Sequence, residues 1–565
     1  MHFVSVLSVL AVCSFVSALK FPTPTTNTKR GDGGFLTTDS EGSLTLNGEK
    51  YPYIAFEAHW LATLFNEKDV DSVLKDLASF GVTNVVVPAY NVVNENNKPG
   101  DDEVDATWLQ LVNSDGSITV NEGENGFKRL DKLVSIAKTH NIRIDFTLSH
   151  NYDPRAVVAT SSNPGTGIVD GFNTTRPRNY LRNDFGGVDF LSASLGSKTH
   201  DIFTNDKITA SYKEIVKCIV ERYKDETTVG SWTPLKDAQC GGTLDKDPSC
   251  STTVISQWHN DISEYIGTLD PNHIVVASST GYECPDCTKL YNAPPAPQPS
   301  SAPGATRRSP KSRSKAILER RERAKRSRAE ARRNEIQAGD RSGVKIRGRW
   351  VSSGVTGRQS NQVVPGITDG SSGVDSVDLG NSAAGALISS YLPFEHEYFV
   401  DQDNTDIENI RKLGNEWIHR QASIRDQLNK AKPVYITMGL PVSNFSDFFV
   451  YGNSSVNYID SHTGLAARQQ NVIGVPTSSR DSLLQTWFST AAGSNVHLVI
   501  QGAGANGVSS SPGTSYSNDN DSTSSSDNSD STTSSPNDGY NIVANGNSDS
   551  GAQNIIRQAS INLIG

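Results

Sequence analysis

The sequence predicts an α/β fold of the (β/α)8 TIM-barrel class. From about residue 50 to the end of the chain, short apolar runs alternate with longer segments whose apolar residues recur at helical spacing. This alternation is typical of a parallel sheet with crossover helices. Eight strand–helix units in succession favour a closed barrel over an open doubly wound sheet, because no glycine-rich dinucleotide turn follows the first strand. Function is then expected in the loops after the carboxyl ends of the strands.

The individual elements can be placed along the chain. The predicted strands are 53–56, 84–87, 142–148, 229–232, 274–277, 386–389, 434–437 and 497–501. The first helix has Val70, Val73, Leu77 and Phe80 on one face and stops at Gly81, a suitable C-terminal cap. Later helices are predicted at 127–140, 207–223, 254–266, 417–430, 482–492 and 555–564.

The first 34 residues are predicted to precede the folded domain. Residues 1–18 have the apolar run and small-residue cleavage site of a secretory signal, and the run is too short to span a bilayer. Residues 19–34 are predicted to be a propeptide or linker, in which Lys29–Arg30 is either a processing site or a chance dibasic pair. No later stretch is long and apolar enough to cross a membrane. The protein is therefore expected to be secreted to the outside of the cell, where it could be associated with a cell wall.

Cysteines and glycosylation sequons agree with secretion. In an oxidising compartment Cys240 is expected to pair with Cys250, and Cys284 with Cys287. Cys218 lies in a helical pattern and is expected to be a buried thiol outside both pairs. A lone Cys-x-x-Cys without a second pair or a histidine cluster does not favour a metal site. The predicted N-glycan acceptors are Asn173, Asn444, Asn453 and Asn520.

Two long insertions, both expected to be disordered, interrupt the barrel pattern. The basic low-complexity insertion covers 292–360, and its part 307–349 holds 17 Lys or Arg against 5 Asp or Glu. This part could bind a polyanion, but it lacks interleaved aromatic residues, and nucleic acid is not an expected partner of a secreted protein. The second insertion, 507–538, is rich in Ser and Asp and has too few apolar residues to fold.

Several stretches resemble the fungal endo-β-1,4-mannanases of glycoside hydrolase family 5. The stretches are Leu44–Gly48, Phe56–Trp60, Thr119–Asp131, His200–Thr204, Trp232–Cys240, Leu269–His273, Leu413–Trp417 and Lys432–Val434. The resemblance implies one barrel domain over 35–565, apart from the insertions. It also implies no cofactor, because the chemistry of this family needs none.

The resemblance implies that most catalytic residues are replaced. A retaining glycosidase needs two carboxyl groups about 5–5.5 Å apart. Asp237 stands at the acid/base position, where the family has Glu, and Thr437 and Met438 stand at the nucleophile position without a carboxylate. Lys236 replaces an Asn that hydrogen-bonds the sugar 2-hydroxyl, and a pairing of Lys236 with Asp237 would lower the pKa of that carboxyl, the opposite of what a general acid requires.

Three further family positions have also changed. The supporting Arg of the second strand falls at Val86, the His of the sixth near Ser390 and the Trp of the eighth near Ile500.

The remaining groove candidates support a binding function. They are His59, Trp60, His150, Asn151, Tyr152 and Trp232. Trp60 and Trp232 could instead pack the barrel, and His150 and Asn151 could bind loop backbone. The sequence therefore predicts a secreted, monomeric, non-catalytic relative that binds a β-mannan-type polysaccharide.

Two alternatives stay open. One is an active mannan endo-1,4-β-mannosidase or other β-glycanase with relocated carboxylates, for which the candidates are Glu57, Glu283, Glu395 and Glu397. An inverting mechanism, in which Asp237 works with a more distant carboxylate, would be expected in that case. The other is a structural, wall-associated glycoprotein.

Overall fold

The computed structural model describes most of the barrel and part of the loops. The described residues are 34–59, 61–64, 66–96, 98–99, 107–151, 186–240, 249–291, 343–346, 349–352, 368, 370, 372–391, 407–439, 477–501 and 554–559. The predicted signal and the four predicted N-glycan acceptors lie outside these residues, as does the insertion 507–538.

Eight parallel strands form a closed barrel, which confirms the predicted fold class. The barrel strands are β4 (Ala55–Glu57), β5 (Asn84–Pro88), β9 (Arg143–Thr147), β10 (Val229–Thr233), β11 (Ile274–Ser279), β14 (Ala386–Tyr391), β15 (Val434–Met438) and β16 (His497–Gln501). Each strand pairs with its neighbours in chain order, and β16 closes on β4 with Gln501 beside Glu57. All carboxyl ends therefore open onto one face of the barrel.

Helices cover the outside of this barrel. They are α1 (Glu67–Ser79), α2 (Phe127–Thr139), α3 (Val188–Ser194), α4 (Asp206–Tyr223), α5 (Thr252–Leu269), α6 (Ser376–Gly380), α7 (Ile407–Asp426) and α8 (Thr477–Gly493). Short 3-10 helices lie at Leu61–Thr63 and Thr199–Phe203. Helix α7 begins ten residues before its predicted start because Ile410 and Leu413 are also buried. None of the described helices is long and apolar enough to span a bilayer.

Small sheets accompany the barrel. Strands β1 (Leu36–Thr38), β2 (Leu44–Leu46) and β3 (Glu49–Lys50) form one sheet, and β6 (Val92–Asn94), β7 (Gln110–Val112) and β8 (Ile118–Val120) form another.

One hairpin lies in the basic insertion. Residues 294–364 form a separate compact unit, in which β12 (Gly343–Ile346) pairs antiparallel with β13 (Arg349–Ser352). The rest of the insertion 292–360 lies outside the described residues, so the expectation that it is disordered stays a prediction. The strands of the hairpin contain the β-branched Val344, Ile346 and Val351, which favour extended backbone.

Barrel residues alternate between two environments because successive side chains of a strand point to opposite faces. Outward residues such as Phe56, Phe146 and Met438 join the large apolar core under the helices. Inward residues such as Ala55 and Tyr435 form a second cluster inside the barrel. This alternation decides which residues near the strand ends can reach a ligand.

A polar group lies inside the barrel below the mouth. The Asp145 carboxylate accepts hydrogen bonds from Tyr53 Oη at 2.9 Å, Asn84 Nδ2 at 2.9 Å and Ser231 Oγ at 2.8 Å. Burial raises the pKa of Asp145, and these bonds act against that shift. Since the group is enclosed and well hydrogen-bonded, it stabilises the barrel and is not a ligand site.

Both predicted disulfides are present. Cys240 is bonded to Cys250, and Cys284 to Cys287, with Cα–Cα distances of 5.5 Å and 5.3 Å. Cys218 lies outside both bonds in α4 but is only half-buried, which corrects its expected full burial. No group of His, Cys, Asp and Glu among the described residues could hold a metal ion.

His259 of α5 makes stability depend on pH. Its side chain is fully buried, and neither ring nitrogen has a hydrogen-bond partner in the described part of the chain. Burial lowers the pKa of His259 from 6.5 to about 3, because the charged imidazolium would lose its hydration. The unfolded chain therefore takes up this proton first, and stability present above about pH 6.5 is lost as the pH falls toward 3.

We expect His259→Leu to remove this loss. At pH 5 the substitution should favour the folded state by about 2 kcal/mol more than it does at pH 7.5. Urea unfolding of both proteins at the two pH values measures the difference. Equal pH dependence in the two proteins would contradict a neutral, buried His259.

Candidate functional site

A pocket opens at the carboxyl ends of the first four barrel strands. Its lining residues are Glu57, His59, Val86, Val87, Pro88, Tyr90, Thr147, His150 and Lys236. They come from β4, β5 and β9 and from the loops that follow β4, β5, β9 and β10. The valines and the proline form an apolar wall, whereas the other residues offer aromatic or polar groups. This end of a (β/α)8 barrel is where function was expected.

A buried ion pair forms part of the pocket wall. Lys236 Nζ donates to Glu57 Oε2, and the two residues are only 5% and 3% exposed. Glu57 is the last residue of β4, and Lys236 follows β10. Strands β5 and β9 lie between β4 and β10, so the ion pair spans the mouth of the barrel above those two strands. The Lys236 side chain extends across the mouth to Glu57 and not to Asp237, so it does not act on the Asp237 carboxyl in the way considered from the sequence.

Backbone contacts fix the position of Lys236. Its N–H donates to Ser149 O at 2.9 Å, and its carbonyl accepts from Asn151 N–H at 3.2 Å. Residues His150 and Lys236 thus continue the parallel pairing of β9 and β10 beyond the strand ends. Because the backbone is held on both sides, the ammonium group is directed into the mouth.

Aromatic rings complete the pocket. The rings of Tyr90 and His150 lie 5.3 Å apart between centroids, and His59 is buried on the Glu57 side. A Cβ atom at Gly187, the residue before α3, would lie 2.8 Å from His150 O and 3.0 Å from its ring. Glycine at position 187 therefore allows α3 to approach the pocket closely.

Asp237 points toward a different part of the mouth. Its Oδ1 accepts from Ser390 Oγ at 2.8 Å, and its N–H donates to Ser278 Oγ at 3.0 Å. Its backbone has φ of 52°, in the left-handed region that is uncommon for residues other than glycine. These contacts hold Asp237, which is 1% exposed, at the ends of β11 and β14.

The inward residue at the end of β15 is Thr437. It lies beside Ser390 in the strand register, and its buried hydroxyl has no hydrogen-bond partner among the described residues. Met438 packs outward into the apolar core, so it cannot face a ligand. Of the two residues at the predicted nucleophile position, only Thr437 lies on the barrel interior.

The predicted groove residues have different outcomes. His59 and His150 line the pocket, and Asn151 is buried beside them with its Nδ2 donating to Gln239 O at 3.0 Å. Trp232 is fully buried in the outer core, stacks on Phe146 and donates to Asp270 Oδ2 at 2.8 Å. Trp232 therefore packs the barrel, which is the alternative considered for it, and does not line this pocket. Trp60 and Tyr152 lie outside the described residues.

The four candidates for relocated carboxylates also have different outcomes. Glu57 lines the pocket, whereas Glu283 pairs with Arg420 of α7 at 3.1 Å and does not. Glu395 and Glu397 lie outside the described residues. Sequence reasoning did not single out Tyr90 or Thr147. Their positions at or just beyond the ends of predicted strands were the available signal.

The fold and this pocket define a class of protein. A closed barrel of eight parallel strands, with buried polar groups at the carboxyl ends, is the architecture of (β/α)8-barrel proteins that bind ligands at that face. No protein family model matches the chain.

Similar proteins narrow the class. The chain is 31% identical over 264 residues to mannan endo-1,4-β-mannosidase F of Aspergillus fumigatus, covering 46% of this chain and 49% of that protein. It is 26% identical over 277 residues to mannan endo-1,4-β-mannosidase A of Hypocrea jecorina, covering 49% and 52%. The matched region thus spans about half the length of these curated relatives.

Solved structures agree in fold. The endo-1,4-β-mannanase of Rhizomucor miehei superposes with a TM-score of 0.55 at 16% identity, covering 94% of this chain and 99% of that one. The endo-β-1,4-mannanase of Thermotoga petrophila gives 0.52 at 16% identity, covering 92% and 78%. At this identity the likeness shows the fold alone. Together with the sequence relatives, it confirms the predicted resemblance: the chain is similar to fungal mannan endo-1,4-β-mannosidases over part of its sequence and to endo-1,4-β-mannanases in its barrel fold.

Proposed function

We propose that this chain is a secreted mannanase-like barrel that binds a β-mannan-type glycan without hydrolysing it. The observation that carries the proposal is the arrangement of carboxylates at the barrel mouth. Among the described residues that line the pocket, Glu57 is the only one with a carboxylate, and it is paired with Lys236. The inward residue at the end of β15 is Thr437, which has no carboxylate to offer.

Loss of hydrolysis follows from the chemistry that cleavage of a glycosidic bond requires. A retaining reaction needs a nucleophilic carboxylate and an acid/base, and a threonine hydroxyl would need an activating base. The Asp237 carboxylate accepts a hydrogen bond from Ser390 Oγ, and the Glu57 carboxylate is paired with the Lys236 ammonium group. Neither contact supports an acid and a nucleophile acting together on one glycosidic bond.

Glycan binding is supported by the composition of the pocket. Tyr90, His59 and His150 place rings and Glu57, Lys236 and Thr147 place polar groups at the mouth of the barrel. All six residues are at most 5% exposed, so a sugar reaches them only when the lining opens. The named relatives are mannosidases, which favours a mannan-type ligand. The apolar run and cleavage pattern of residues 1–18 favour secretion.

The proposal predicts binding without turnover. We expect soluble galactomannan to bind the purified protein, measured by calorimetry. Release of reducing ends should be at least about 10³-fold slower than for an active mannanase assayed beside it. Asp237→Ala is the control for residual chemistry, and Glu283→Gln is the control for a carboxylate outside the pocket. Release of oligosaccharides that disappears in Asp237→Ala would overturn the proposal.

A second candidate is an inverting hydrolase. It is favoured by the position of Asp237, a carboxylate at the acid/base place, together with Glu57 in the nearby pocket. In that case Glu57→Gln would abolish oligosaccharide release as completely as Asp237→Ala. Absence of both binding and release would instead favour a structural wall glycoprotein.

A further inference from the structure

The two disulfides of the chain lie in different surroundings. Cys240 is fully buried in the large apolar core, and Cys250 packs against the same core. Cys284 and Cys287 belong to none of the apolar clusters in the described part of the chain. Cys284 is buried beside the Lys289 ammonium group, which donates to Cys284 O at 2.7 Å, and Cys287 is half-buried. The second disulfide is therefore in polar, partly accessible surroundings.

Residues Cys284–Cys287 form a turn in the loop that follows β11. Cys287 N–H donates to Cys284 O at 3.2 Å, and the two residues between the cysteines, Pro285 and Asp286, are exposed. Disulfides that solvent can reach exchange readily with external thiols, whereas enclosed ones resist reduction. The position of the turn therefore favours exchange at this bond.

Contacts other than the disulfide hold the chain before the turn. Tyr282 O accepts from Ser376 N–H at 2.7 Å, and Glu283 O accepts from Thr368 N–H at 3.0 Å. The Glu283 side chain also pairs with Arg420 at 3.1 Å. None of these contacts involves a sulfur atom, so they persist when the disulfide opens.

The chain after the turn is held in the same manner. Lys289 pairs with Asp375, and the N–H groups of Leu290 and Tyr291 both donate to Asp378 Oδ1 at 2.8 Å. Because both sides of the turn are fixed, the two thiols of the reduced protein stay close together. Their proximity favours closure of the bond again.

Opening this bond also releases little chain. Its cysteines are separated by 3 positions in the sequence, and those of the Cys240–Cys250 disulfide by 10. A disulfide that closes a shorter loop removes less conformational entropy from the unfolded chain. We therefore expect the Cys284–Cys287 disulfide to contribute less to the stability of the barrel.

We propose that the Cys284–Cys287 disulfide is a thiol–disulfide exchange site for an external dithiol, which opens and closes while the barrel stays folded. A thiolate of the dithiol attacks the Cys287 sulfur, the bond between the protein sulfurs breaks, and its electron pair leaves on Cys284. The second thiolate of the dithiol then attacks its own sulfur in the mixed disulfide and releases Cys287. The dithiol is oxidised to a disulfide, and Cys284 and Cys287 take up the two protons that it loses. This activity does not depend on glycan binding.

The test reduces the unaltered protein under native conditions. Dithiothreitol is added, free thiols are blocked with N-ethylmaleimide at timed intervals, and peptide mass mapping measures the labelling of each cysteine. Cys284 and Cys287 should be labelled at least about tenfold faster than Cys240 and Cys250. The near-UV circular dichroism of the folded protein should persist, and oxidised glutathione should restore the bond after dithiothreitol is removed. Equal rates at the two disulfides, loss of the folded signal or failure to close again would contradict the proposal.

Two single variants identify the sulfur that is attacked. Cys284→Ser leaves the thiol of Cys287, and Cys287→Ser leaves the thiol of Cys284. N-ethylmaleimide should label Cys287 at least about tenfold faster than Cys284, because Cys284 is buried. Equal or reversed rates would contradict attack at Cys287.

A pair of double variants separates an exchange site from a structural crosslink. The urea midpoint of C284S/C287S should lie closer to that of the unaltered protein than the midpoint of C240S/C250S does. A larger loss in C284S/C287S would show that the second disulfide holds the barrel together, and it would overturn the proposal.

Discussion

Replacement of Lys236 by methionine should destabilise the folded protein by about 3–5 kcal/mol. The substitution keeps an unbranched side chain one atom shorter and removes the ammonium, so the carboxylate of Glu57 stays buried without that cation. The double variant E57Q/K236M should recover most of the loss, since it leaves no isolated charge. Urea unfolding of the four proteins in this cycle measures the coupling between the two residues.

The ion pair of Glu283 and Arg420 provides the matched comparison. Arg420→Met also removes a cation from a glutamate, but its side chain is 22% exposed and water can replace part of the interaction. Its cost should be about 1 kcal/mol or less. Equal effects of the two substitutions would show that the pair at the mouth is open to solvent.

Trp232→Ala should cost about 3–5 kcal/mol in the free energy of unfolding, measured in the same way. The side chain is fully buried, and its ring lies 5.9 Å from that of Phe146 in a stacked arrangement. Alanine would leave a cavity between β10 and the helices and would remove the donor to Asp270. Trp232→Phe should cost less, about 1–2 kcal/mol, because it keeps most of the packing and loses the hydrogen bond.

The binding data of these variants test the position of Trp232. Trp232→Phe should leave the affinity for mannohexaose within about twofold of the unaltered protein, because the residue faces the helices. Lys128 is exposed, and Lys128→Ala is the control for stability. This substitution should change the free energy of unfolding by less than about 0.5 kcal/mol. A large loss of affinity with unchanged stability would show that Trp232 contacts the ligand.

Much of the fold could be predicted from local patterns. The stripe of Val70, Val73 and Leu77 gave helix α1 because helical spacing places these residues on one buried face. Helix α7 was predicted too short, since its first turns mix charged residues with few apolar ones. The hairpin at 343–352 was missed because the surrounding composition is strongly basic.

The candidate site was less predictable. His59 and His150 were found because they follow predicted strands, and the structure places both in the pocket. Glu57 was considered only as a relocated carboxylate, and its actual partner lies 179 positions away in the chain. A contact of that separation leaves no local pattern, so it could not be derived from spacing.

The sequence by itself determined the barrel, its strand order and both disulfides, because periodicity and short cysteine separations are local properties. It also determined which residue types stand at each strand end. Only the tertiary structure decided that Trp232 faces the helices, that Thr437 faces the interior and that Lys236 reaches Glu57. The physical reason is that strand register and barrel closure set the direction of every side chain, and a shift of one residue reverses it.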